Sequence, residues 1–191
     1  VKVQAYLTNP DDYSAFNEVW ARYFGETGPA LSVIPCKHRG LAVSDGRIEI
    51  NVLAVKTKGT TKRQLIDAGV IAGFRHQPQA VKAGDLLFPS GLMAIDEEGL
   101  VPGAVSDARQ PWFASSAEVQ AEFIIDNAER LCEAAGTSIA NVVRVQQFHT
   151  DIGEFYPVYK VWKRRLGGAP LPFTAVEVPS PLPMPGATIL M

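Results

Sequence analysis

Val1-Lys2-Val3-Gln4-Ala5-Tyr6-Leu7-Thr8 opens the chain, and Val143-Arg144-Val145-Gln146-Gln147-Phe148-His149-Thr150 repeats it in outline. Continued at the same spacing without a gap, the match carries Val19-Trp20 onto Val161-Trp162, Arg22 onto Arg164 and Gly25 onto Gly167. Eight of the first 25 positions are identical, where about one or two would coincide by chance at ordinary residue frequencies. Further pairs keep their chemistry: Tyr6 with Phe148, Asp12 with Glu154, Tyr13 with Phe155. Self-similarity of this kind sets the unit of folding. It implies that the chain opens in the middle of one copy of a unit and then carries a second, nearly whole copy. The first residue is Val rather than Met, which together with the mid-repeat start reads as a fragment, a processed product or a chain whose beginning is not seen.

Working outward, residues 1–8 alternate apolar and polar and run into Asn9-Pro10-Asp11-Asp12, a strand followed by a helix start. Phe16, Val19, Trp20, Tyr23 and Phe24 recur at helical spacing and predict one apolar face, with Gly25 as the stop. Leu31 to Cys36 is a short apolar run, and Gly46 to Val55 a clearer strand with Ile48, Ile50 and Val52 on one face. Lys56 to Arg63, with Gly59 and its threonines, reads as a linker.

The second unit begins with a strand and tight turn over Gln79 to Asp85, then Leu86-Leu87-Phe88, broken by Pro89-Ser90-Gly91. A Gly-, Pro- and acid-rich loop spans Asp96 to Pro111. Ser115 and Ser116 are candidate caps of a helix to about Ala135, with Ala117, Ala121, Ile124, Ile125, Ala128, Leu131, Cys132 and Ala135 inward. A strand over Asn141 to Thr150, a helix over Ile152 to Leu166 and strands over Leu171 to Val178 and Ala187 to Met191 complete the pattern. The economical solution is α+β, two helices on one face of a mixed sheet. The expected division is residues 1–58 as the back half of a first domain, 59–73 as linker and 74–191 as a second domain.

The composition narrows function by exclusion. At 191 residues and 47% hydrophobic the chain can bury a sizeable core. A net charge of −2 gives no electrostatic footprint for nucleic acid. The short basic runs Lys56 to Arg63 and Lys163-Arg164-Arg165 read as solvated faces. Cys36 and Cys132 form no metal or redox motif and read as buried free thiols of a reducing compartment, taken as the cytoplasm. His38, His76 and His149 are scattered, and His149 falls where the first copy has Leu7, which argues for packing over metal ligation. No metal and no cofactor are expected, and no apolar run is long enough to span a bilayer.

Several segments then resemble the Rid family, the reactive intermediate deaminases also called YjgF or endoribonuclease L-PSP proteins. They are Lys82-Ala83-Gly84-Asp85-Leu86-Leu87-Phe88-Pro89-Ser90-Gly91, the run from Asn127 to Gly136, Val142 to Val145, and Thr174-Ala175-Val176-Glu177-Val178. In the first copy they are Tyr6-Leu7-Thr8, Phe16 to Gly25, and Ile48-Glu49-Ile50-Asn51. The resemblance implies a chorismate-mutase-like fold in tandem, trimers with clefts between neighbours, and hydrolysis of small imine or enamine metabolites to a ketoacid and ammonia. It also implies an arginine after a proline-alanine pair that grips the substrate carboxylate, and a glutamate on the last strand that orients water.

Both copies depart from that pattern. Leu31 follows Pro29-Ala30 where the arginine belongs, and Phe173 takes that place in the second copy. The glutamate is kept as Glu49 and replaced by Leu190. Loss of the charge-assisted grip costs substrate binding on the order of 2–4 kcal/mol. Glu49 is therefore the catalytic candidate, with Ser90, Gly91, Leu31, Phe173 and Leu190 lining the clefts, and Arg39, Arg75 and Arg109 the arginines available as a displaced grip. Trp20 and Trp162 read as structural. Three functions were open: a deaminase of an altered imine, a non-catalytic duplicate that holds an assembly, and a ribonuclease, against which the charge and the absence of an aromatic-basic platform both speak.

Overall fold

The computed structural model describes residues 1–37, 41–43, 45–56, 61–73, 76–105, 107, 109 and 115–191. Alternation at the start of the chain gives β1 (Lys2–Leu7), whose Val3, Ala5 and Leu7 are buried while Lys2, Gln4 and Tyr6 face the other way. α1 (Asp12–Phe24) crosses over and returns as β2 (Ala30–Pro35), parallel to β1, and β3 (Ile48–Leu53) pairs antiparallel on the other side. The sheet order is β2-β1-β3.

A second hairpin region follows. β4 (Arg63–Ile66), β5 (Ala80–Ala83) and β6 (Leu86–Pro89) form an antiparallel sheet in that order, the β5–β6 turn using Gly84 at φ +60°. β4 lies inside the stretch expected to be linker, because Arg63 to Ile66 register against Ala83 to Ala80. A two-residue hairpin, β7 (Ile95–Asp96) and β8 (Gly99–Leu100), interrupts the loop expected from Asp96. α2 (Ser116–Ala134) is capped by Ser115, whose side chain accepts from the Glu118 amide.

β9 (Val145–His149), α3 (Phe155–Arg165), β10 (Phe173–Glu177) and β11 (Ile189–Leu190) then reproduce the arrangement of the first sheet: β10 parallel to β9, β11 antiparallel, order β10-β9-β11. The registers correspond too. Val3 faces Leu31 as Val145 faces Phe173, and Tyr6 faces Glu49 as Phe148 faces Leu190. Main-chain bonds between Leu92 and Met191, 2.8 and 3.0 Å, continue the outer edge of β11 into the segment after β6.

Three apolar clusters result. One lies under α1 (Val3, Ala5, Leu7, Trp20, Leu31, Val33) and a larger one lies under α2 and α3. The third joins the two sheets, bringing Tyr6 and Ile34 against Met93, Phe148 and Leu190. The apolar face expected on α1 is only half used: Trp20 is buried, whereas Val19, Tyr23 and Phe24 stay exposed. α3 has α2 beside it, joined by ion pairs of Arg164 with Glu122 and Arg165 with Asp126. The basic run read as a solvated face thus serves that helix pair. Ile48, Ile50 and Val52 of β3 are likewise exposed.

Candidate functional site

Four of the cleft residues named from sequence come together at one seam between the two sheets. Gly91 donates its amide to the Leu31 carbonyl at 2.8 Å, and Leu31 donates its amide to Ser90 Oγ at 3.0 Å. Ser90 Oγ in turn donates to the Pro78 carbonyl at 2.6 Å. A side chain on Gly91 would have its β-carbon 2.9 Å from Leu190 Cδ1 and 3.1 Å from Ser32 Oγ. Ser90, Leu31 and Leu190 are 1–2% exposed. The Gly91 amide is thus consumed by β2 and the Ser90 amide by the Gln79 carbonyl at 2.9 Å, and the two positions that the resemblance gives to charged residues are leucines. An anion would meet neither of those main-chain amides, and unpaired burial of its charge is costly.

A cation does sit at this seam, and the sequence reading missed it. Lys2 Nζ donates to Ser32 Oγ at 2.8 Å and to the Pro89 carbonyl at 2.6 Å. Burial pushes its pKa down to about 7. The polar alternation of β1 was visible in the sequence, but which polar residues face a second sheet was not. Gln4 similarly donates across the seam to Gln146 Oε1 at 2.7 Å.

The other two candidates lie apart from the seam. Phe173 is on edge strand β10 and stacks on Phe155 with ring centroids 5.1 Å apart, Tyr159 completing the aromatic group. Glu49 is opposite Tyr6, on the same face of the sheet. Tyr6 lines a hollow of about 300 Å³ between the two sheets, with Ile34, Cys36, Lys37, Phe148 and Glu177 among the other walls. Burial raises the Tyr6 hydroxyl pKa, with the Glu49 charge adding to it, and Asn51 is within hydrogen-bonding reach. Burial and the same carboxylate raise the Cys36 thiol, which is only partly enclosed rather than buried. The hollow is apolar with a few convergent polar groups, the usual character of a small-molecule site. Glu49 is not itself a wall of this hollow but acts through its charge on the wall residues Tyr6 and Cys36; the carboxylate that lines it is Glu177 and the ammonium is Lys37.

Of the arginines considered as substitutes, Arg109 is exposed and paired with Asp107 at 2.9 Å; Arg39 and Arg75 lie outside the described residues. His149 is fully buried, with Nε2 3.1 Å from Gln147 Oε1, and burial lowers its pKa. Among the described residues no cluster of His, Cys, Asp and Glu has the arrangement of a metal site, and no helix is long and apolar enough to cross a membrane.

Comparison with known proteins fits this architecture. The profile described as Endoribonuclease L-PSP matches residues 71–189. The chain belongs to that family. Mitochondrial protein mmf2 of Schizosaccharomyces pombe is 30% identical over 106 residues, 56% of this chain and 74% of that one. TdcF of Escherichia coli K12, by name a candidate reactive intermediate deaminase, is 26% identical over 87 residues, covering 45% of this chain and 58% of that one. Among solved structures, RidA from the Antarctic bacterium Psychrobacter superposes with a TM-score of 0.53 at 26% identity, over 66% of this chain and 94% of that one. A protein of unknown function from Pseudomonas aeruginosa superposes at 0.55 and 23% identity, over 69% and 89%. The α+β fold with Rid-family neighbours is thereby established.

Proposed function

We propose that this chain is a tandem Rid protein, a partial copy followed by a nearly complete one. In our reading it binds a small imine or enamine metabolite and hydrolytically deaminates it. The observation that carries the reading is the contrast between the two places. The Ser90–Gly91 seam is closed by leucines and by β2, whereas Glu49 pairs across the sheet with Tyr6, a wall of an open hollow between the sheets. The matching order and register of the two sheets support duplication. The exposed Ile48, Ile50 and Val52 support burial of β3 in a homo-oligomer of trimeric type. The units then follow the expected division, with β4 assigned to the second.

In the proposed reaction Glu49 takes a proton from water as the oxygen bonds to the imine carbon. Glu49 passes that proton to the imine nitrogen to give the carbinolamine; as this collapses, Glu49 carries the hydroxyl proton to the same nitrogen, the C–N bond breaks, and ammonia departs from the carbonyl product. Lys37 takes the place of the missing guanidinium toward a substrate anion.

The test is ammonia release from imines generated by an amino-acid oxidase. The chain accelerates release from at least one imine, and Glu49→Gln lowers kcat by roughly 10² or more, the usual worth of a positioned base. No acceleration by the folded chain removes the enzymatic reading. What then remains is a non-catalytic ligand-binding or assembly role, which the closed seam favours.

A further inference from the structure

We propose that the hollow between α1 and the segment at His76 binds a free amino acid as its zwitterion. This site is independent of the Glu49 hollow. It encloses about 470 Å³ and is lined by Asn17, Glu18, Ala21, Arg22 and His76. Glu18 and Arg22 are one helical turn apart, the spacing at which opposite charges normally pair on a helix surface. Here neither takes part in an ion pair among the described residues, and both line the open space. Asn17 Oδ1 is buried without a hydrogen-bond partner. The α1 wall thus offers a carboxylate and a guanidinium one helical turn apart, with His76 as the wall from outside the helix.

That pair matches an α-carboxylate on Arg22 and an α-ammonium on Glu18. A plain carboxylic acid leaves Glu18 unanswered, and a plain amine leaves Arg22 unanswered. The floor is rigid. Trp20 is 5% exposed and its indole donates to the His76 carbonyl at 3.1 Å. His76 holds a left-handed φ of +60° and its Nδ1 lies 3.2 Å from Glu26 Oε1. His76 is therefore tied to the C-terminal half of α1 and to the turn that follows it.

The test uses the whole chain, titrated with glycine, L-alanine and L-glutamine and followed by calorimetry and by the NMR shift of the Trp20 indole N–H. Propionate and ethylamine serve as the half-ligands. Saturable binding of the amino acids is expected, with the Trp20 signal moving, and at least about tenfold weaker binding of either half-ligand. Arg22→Ala is expected to weaken alanine binding by about tenfold and Glu18→Gln by a smaller factor, with thermal melts unchanged because both side chains are exposed. No saturable binding of any of the three amino acids overturns the proposal. So does an Arg22→Ala variant that folds and binds alanine as before, or equal affinity for propionate.

Discussion

At the scale of single residues, the seam is governed by Lys2, Gly91 and Leu190. Lys2 has an ordinary pKa of 10.5 and a folded one of about 7. Between those values the unfolded chain holds a proton that the folded chain does not, so stability rises with pH from about 7 to about 10.5 and is lowest below that window. Urea denaturation across that range is expected to show this slope, and Lys2→Met to flatten it. A variant with the same slope as wild type would mean that Lys2 stays charged and solvated. Gly91→Ala places a β-carbon 2.9 Å from Leu190 Cδ1 and is expected to cost about 1–3 kcal/mol, read as a lower urea midpoint. Gly91→Ala with Leu190→Ala should cost less than the sum of the two single changes, since the clash partner is gone. Leu31 and Leu190 entered the reading through the family resemblance, which gives their positions to charged residues. The sequence could not show that Leu31 contributes its main chain to Ser90 and Gly91, since a long-range bond leaves no local signal.

At the scale of elements, the helices were the most legible. The Ser115 cap, the inward stripe of α2 and the Gly136 stop all follow from spacing and turn chemistry. Gln120 was not legible. It is polar and is not among the inward residues expected from spacing, yet it is fully buried. Its side chain donates to the Ala104 and Gly186 carbonyls at 3.1 and 3.3 Å and accepts from the Thr188 amide at 2.8 Å. It therefore ties α2 to the loop before it and to the approach to β11. Gln120→Leu leaves those three backbone groups buried and unpaired, and is expected to cost about 2–4 kcal/mol; Ser115→Ala is expected to cost about 1 kcal/mol. Chemical denaturation of the two variants gives the ranking, and a Gln120→Leu variant as stable as Ser115→Ala would contradict it. β4 was missed for a different reason: Arg63 to Ile66 is a short edge strand, mostly exposed, with no alternation of its own to read.

At the scale of the whole molecule, two sheets of like order meet through an apolar cluster, and that meeting decides where a ligand can go. The α+β class and the family were legible because recurrent segments fall in order along the chain. Which clefts stay open was not, because closure depends on contacts between residues about 60 or more positions apart and on side chains that fill space rather than carry charge. Glu49 and Phe173, equally visible as candidates, lie on β3 and β10, outside the hydrogen-bonded turn around which the other four gather. The most direct measurement of the closed seam is hydrogen exchange at the Gly91 amide, which donates to Leu31 at 2.8 Å. The account predicts exchange slowed by roughly 10³-fold or more relative to an unstructured peptide, as for amides freed only by larger openings. Exchange at the free-peptide rate would mean that the Ser90–Gly91 donors stand open, and would contradict it.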